Sequence, residues 1–219
     1  MISKTKIDCC KVNFRSDYDK LVINLKDLTI PRVNFLLAFT TINSPFKRLT
    51  TAVNANPIDI TGILNATEAL LNNAQGFNFE ANSILATNIQ IIQNLNLLLS
   101  DFNSCNTCCD VDNVLITLQT ANSLNTSLVT LTNTLLDLVI QSFALNQLAA
   151  PLLFVDPILP EDVAKIKALY NLIAADISII NSSTSKTDYD KLISQLKVVI
   201  DGIIKCGLTN TCVKIFKCN

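Results

Sequence analysis

Between Val114 and Leu145, apolar side chains fall at Val114, Leu118, Ala121, Leu128, Leu131, Leu135, Leu138 and Leu145. The steps are three and four once two polar slots, Asn125 and Ser142, are counted in. Only a helix puts such positions on one side of the backbone, so the spacing predicts a long helix with a bundle or coiled-coil seam. Polar residues inside a seam can fix its register. Asp110 and Asp112 supply start signals, and Pro151 a stop.

The same reading extends outward. Ile84, Ile91, Leu95, Leu98 and Phe102 predict a second long helix over 81–102, preceded by one over 58–74. Gly76 either breaks the two apart or is a soft point in one rod. Pro160 at a first helical position opens a helix to about residue 180. A turn over 181–185 then leads to a last helix ending near Cys206. Pro31 and Pro45 bracket a short helix over 33–42. Four glycines in 219 residues leave little for a fold of many tight turns. The expected fold is all-α: an elongated multi-helix bundle over 16–206, with a flexible arm over 1–15 and a tail over 207–219. Asn and Thr crowd the polar faces and are poor helix formers, so packing rather than propensity must hold these helices.

Two segments echo each other. Residues 16–26 read SDYDKLVINLK and 187–197 read TDYDKLISQLK, with seven of eleven positions identical. Ser16 and Thr187 suit an N-cap, with Asp19 and Asp190 reaching back as in a capping box. Tyr18 and Tyr189 are expected to pack and hydrogen-bond in the first turn. The repeat implies a duplicated helical unit and carries no chemistry.

The charges form blocks. Residues 49–164 contain no Lys or Arg and ten acids, whereas 1–48 hold nine basic and four acidic groups and 165–219 eight and four. Either the basic ends fold beside the acidic middle of their own chain, or they dock on a neighbouring copy. A net charge of −1 excludes the concentrated basic surface that nucleic acid needs. The absence of histidine removes the ordinary triad, the imidazole base and His-ligated metals. Scattered glycines provide no phosphate-cradling loop. No enzyme, cofactor or metal centre is expected.

The eight cysteines gather at the ends and at one turn: Cys9 and Cys10, then Cys105, Cys108 and Cys109, then Cys206, Cys212 and Cys218. Core cysteines scatter as small hydrophobes, whereas an even number at exposed positions reads as a disulfide framework. Cys105 and Cys108 have zinc-ligand spacing, but no second CxxC accompanies them. A redox motif there lacks its βαβ surroundings. Residues 1–14 hold no apolar stretch of secretory-leader length, and no run reaches the ~18 apolar residues of a membrane span. Disulfides nevertheless need an oxidising place. The expectation is a self-assembling structural subunit of an extracellular, spore or particle-surface fibre or layer, partnered by itself through intermolecular disulfides. The alternatives are a helical binding module for an apolar ligand or host surface, and a membrane-active helical toxin.

Overall fold

A computed structural model describes residues 14–105 and 111–208 in full, and the backbone of 9–10 and 213–214. The chain is all-α: α1 (Phe14–Thr29), α2 (Arg32–Thr41), α3 (Asn43–Val53), α4 (Ile60–Cys105), α5 (Val111–Ala149), α6 (Pro160–Ser182) and α7 (Ser185–Lys205). A 3-10 segment, Ala150–Phe154, extends α5. The two strands are short: β1 (Cys9–Cys10) pairs antiparallel with β2 (Val213–Lys214).

The 58–74 and 81–102 segments are one continuous helix, so Gly76 does not break it. Its buried seam starts at Ile60 and Ile63 and ends at Phe102 and Cys105, in alternating steps of three and four, with Ala66 buried beside it. Ala74 and Phe77 carry the seam past Gly76, which is exposed and has open space where a Cβ would stand. The start of α4 is fixed locally, by Asp59 Oδ1 accepting a hydrogen bond from the Gly62 backbone N–H at 2.8 Å.

On α5 the bounds match expectation, but the seam is shifted in its first half. Thr117, not Leu118, is buried, and Leu124 rather than Asn125 takes the next slot. Apolarity alone favours Leu118; the Thr117 hydroxyl overrides it by donating to Asn113 O at 2.6 Å, which satisfies it inside the helix. Ser142 is buried as expected. Pro45 does not end a helix. It lies in the first turn of α3, where a missing N–H costs nothing.

The chain divides into two compact units. Unit 1 comprises Met1–Ile30, Ile84–Thr126 and Ser185–Asn219. Here α1 and α7 pack on each other and on the second part of α4 and the first part of α5. Phe14 meets Phe102 with ring centroids 5.7 Å apart, while Asn24 accepts from Asn94 Nδ2 at 2.6 Å and donates to Gln90 at 3.4 Å. These contacts make α1 antiparallel to α4. Asn88, in the seam of α4, donates to Ala121 O on α5 at 2.8 Å and pins their register.

Unit 2 comprises Pro31–Ser83 and Ser127–Thr184. Phe35, Phe39 and Phe77 form an edge-to-face cluster with centroids 4.6 to 5.8 Å apart. α3 packs against α6: Phe46 stacks on Tyr170, whose hydroxyl donates to Thr50 at 3.2 Å. The pin of this unit is Thr67, whose hydroxyl donates to Ile63 O and accepts from Asn146 on α5 at 3.1 Å. The polar seam residues with cross-helix partners are thus on α4, not at the two α5 slots.

The two DYDK copies are not equivalent. Both lie two residues inside their helices, since α1 starts at Phe14 and α7 at Ser185, so neither Ser16 nor Thr187 is an N-cap. Asp19 instead pairs with Arg15 at 3.1 Å, a surface contact of little weight. α1 buries Asp17, Leu21 and Asn24, whereas α7 buries Tyr189, Leu192 and Leu196. The stripe shares the equivalent Leu21 and Leu192 but is moved by one residue on either side of them, from Asp17 to Tyr189 and from Asn24 to Leu196. Tyr189 is wholly buried and its hydroxyl donates to Leu28 O on α1. Tyr18 remains half exposed under the Arg15 guanidinium, 5.3 Å from its ring centroid.

Candidate functional site: the cysteine-bearing end of unit 1

Four helix ends of unit 1 converge: the start of α1, the end of α4, the start of α5 and the end of α7. The ring contact of Phe14 with Phe102 joins the first pair. A cleft of about 310 Å³ lined by Phe102, Val114, Val199, Ile203 and Cys206 joins the rest. Every cysteine with a described position belongs here. Unit 2 contains no cysteine in its sequence.

Cys105 is the last residue of α4 and is buried and disulfide-bonded, with Ser104 Oγ 3.8 Å from its sulfur. Cys206 is a free, exposed thiol. Its position is set by a helix-ending motif. Gly207 adopts a left-handed φ of 66°, its N–H donates to Ile204 O, and the Leu208 N–H reaches back to Ile203 O at 3.2 Å. Leu208 is buried and completes the motif with its apolar anchor. Cys206 is therefore held at a fixed helix terminus. The pairing of β1 with β2 sets the backbone of Cys9 opposite Lys214 and that of Cys10 opposite Val213, so the expected arm and tail meet. Cys108, Cys109, Cys212 and Cys218 lie outside the described residues, as do the side chains of Cys9 and Cys10.

One turn into α1, Asp17 is buried and faces Asp101 of α4. Burial first, then hydrogen bonding and repulsion with Asp101, push its carboxyl up to about 6; Lys20, 3.8 Å away, pulls weakly the other way. Sequence reading missed this pair, because 84 residues separate its members and neither stands out locally. It also alters the charge picture. The basic N-terminal segment does lie beside part of the acidic middle, but here carboxyl meets carboxyl. By unit, the blocks dissolve into 12 basic and 10 acidic groups in unit 1 against 5 and 8 in unit 2.

Unit 2 offers an open cleft of about 880 Å³ between the loop before α4 and the segment joining α5 to α6, with Asp59, Asp156 and Lys167 among its walls. Among the described residues no group of three or more potential metal ligands occurs. By length and composition, the helix over Val111–Phe154 would suffice to cross a membrane, but within each unit its seam is buried against other helices. No protein-family model, curated protein or solved structure matches the chain.

Proposed function

We propose that this chain is a self-assembling structural subunit whose copies are joined by disulfides at the cysteine-bearing end of unit 1. The observation that carries this reading is the free, exposed Cys206, fixed at a helix terminus on the unit that holds all the cysteines. The cysteine count adds to it. With Cys206 unpaired, seven remain, and an odd number cannot pair completely within one chain. Each copy thus has at least two thiols for bonds to other molecules. One such thiol would stop growth at a dimer, whereas two permit a fibre or layer. Such bonds persist in an oxidising setting, in keeping with an assembly outside cells or on a spore or particle surface. A uniformly low charge over 49–164 favours close helix contacts, since amides and hydroxyls cost less to desolvate than ions.

Electrophoresis without reductant tests the reading. Wild-type protein should migrate as a ladder that collapses on reduction, and Cys206→Ser should shorten that ladder to dimers or monomers. A single monomer band from oxidised wild-type protein would exclude it. That result, with a ligand in the 880 Å³ cleft of unit 2, would favour a disulfide-stabilised binding module instead.

A further inference from the structure

In unit 1, Asp17 of α1 is buried and shares a hydrogen bond with Asp101 of α4. In unit 2, Asp176 of α6 is also buried; it is repelled by the exposed Asp137 of α5 and hydrogen-bonded to Gln141. Asp17 and Asp176 are both buried, and the Oδ2 atom of each has no hydrogen-bond partner among the described residues. A buried carboxylate oxygen without a donor is costly, and a like charge beside it adds to that cost. A proton relieves both at once, since the acid form loses its charge and can donate to the facing carboxylate.

We propose that the Asp17–Asp101 pair is a proton-operated lock: mild acid, by placing one proton in the pair, fastens α1 to α4, and deprotonation loosens it. The surrounding charges agree. Among the described residues, the charged groups acting on Asp17 are Asp101 from α4 and Lys20 from its own helix. Asp176 is acted on by Asp137 from α5, with a Gln141 hydrogen bond opposing the trend. Lys20 is half exposed and 3.8 Å from Asp17, too weak a partner to cancel burial and Asp101 together.

The sign follows from linkage. Asp17 rises from 3.8 to about 6 on folding, so between those values the folded chain binds more protons than the unfolded one. Stability is therefore gained as pH falls through about 6 and lost as it rises. Asp176 shifts in the same direction, again chiefly by burial. A shift of that size at Asp17 corresponds to a change in the folding equilibrium on the order of a hundred-fold across the window. The consequence for unit 1 is local. Asp17 lies one turn from Phe14, and β1 with Cys9 and Cys10 immediately precedes that helix. Loosening this turn at neutral pH frees the strand that bears the cysteine pair.

Hydrogen exchange on the full chain at pH 5.0 and 7.5, corrected for the intrinsic rate, tests the lock. Amides in the first two turns of α1 should lose up to about tenfold protection at the higher pH, relative to those in the middle of α7. Asp17→Asn, which keeps shape and removes the charge, should hold that protection at both values. Asp101→Asn should diminish the loss, because burial of Asp17 remains. Equal protection of wild-type α1 at both values would overturn the proposal, as would an undiminished loss in Asp17→Asn. Melting temperature gives a second readout, in which wild-type protein should be more stable at pH 5.0 than at 7.5. An Asp17→Asn/Asp176→Asn variant should flatten that difference; a slope of equal size in the double variant would sink the idea.

Discussion

Truncating Tyr189 to alanine is expected to destabilise the protein by about 3–5 kcal/mol, whereas truncating Tyr18 should cost about 1 kcal/mol or less. The local sequences are nearly identical, DYDKL in both cases. The difference lies in which way each helix is turned. Tyr189 has no exposed surface, and its hydroxyl satisfies a backbone carbonyl of the adjacent helix. Removing it leaves a cavity the size of an aromatic ring and leaves the Leu28 carbonyl of α1 without its donor from α7. Tyr18 has water on one side and only a cation–π contact with Arg15. Chemical denaturation of the two variants measures both numbers. Equal losses would mean that the copies are packed equivalently.

The second large effect belongs to unit 2. Phe77→Ala should cost about 3–5 kcal/mol, because Phe77 is the centre of the Phe35, Phe39 and Phe77 cluster and is buried in the α4 seam. Its edge-to-face contacts add to area burial, so the loss should lie toward the upper part of that range. A typical domain has only about 5–15 kcal/mol in reserve, which makes partial unfolding of unit 2 a realistic outcome at 37 °C. Cysteine chemistry lies in unit 1, so the Cys105 disulfide should form in this variant as in wild type. Calorimetry and thiol titration together check both statements.

Much of the helical layout was legible in the residues. The segments expected over 33–42 and 160–180 correspond to α2 and α6, since proline is a strong local signal of a helix start: Pro160 is the first residue of α6 and Pro31 immediately precedes α2. The seam of α5 is legible in its second half, where leucines leave no choice, whereas in its first half the buried positions Thr117 and Leu124 lie one residue before the apolar pattern. There a threonine faces inward and a leucine sits beside it, and periodicity alone cannot weigh a hydroxyl bonded to its own helix. Gly76 was ambiguous for a related reason. Propensity marks a weak point, and packing of Ala74 and Phe77 on either side overrides it. Of the four boundaries between the units, those at Pro31 and Ser185 coincide with connections between helices, whereas those after Ser83 and Thr126 had no signal, because they fall inside α4 and α5 where helicity does not change. At the candidate site, the clustering of cysteines at helix ends was legible, but the state of Cys206 was not. That depends on a left-handed glycine and a reverse hydrogen bond at the end of α7. The Asp17–Asp101 pair required the antiparallel approach of α1 and α4, which no local pattern encodes.

The proposal that copies are joined through the cysteine-bearing end is tested most directly by isotope mixing. Equal amounts of ordinary and ¹⁵N-labelled chain are reduced, mixed, reoxidised in air, digested without reductant and analysed by mass spectrometry. Joining through this end should yield disulfide-linked peptide pairs in which a light Cys206 peptide is joined to a heavy cysteine peptide, and the reverse, in near-equal numbers. Disulfide pairs that are only all light or all heavy, with Cys206 recovered as a free thiol, would contradict it.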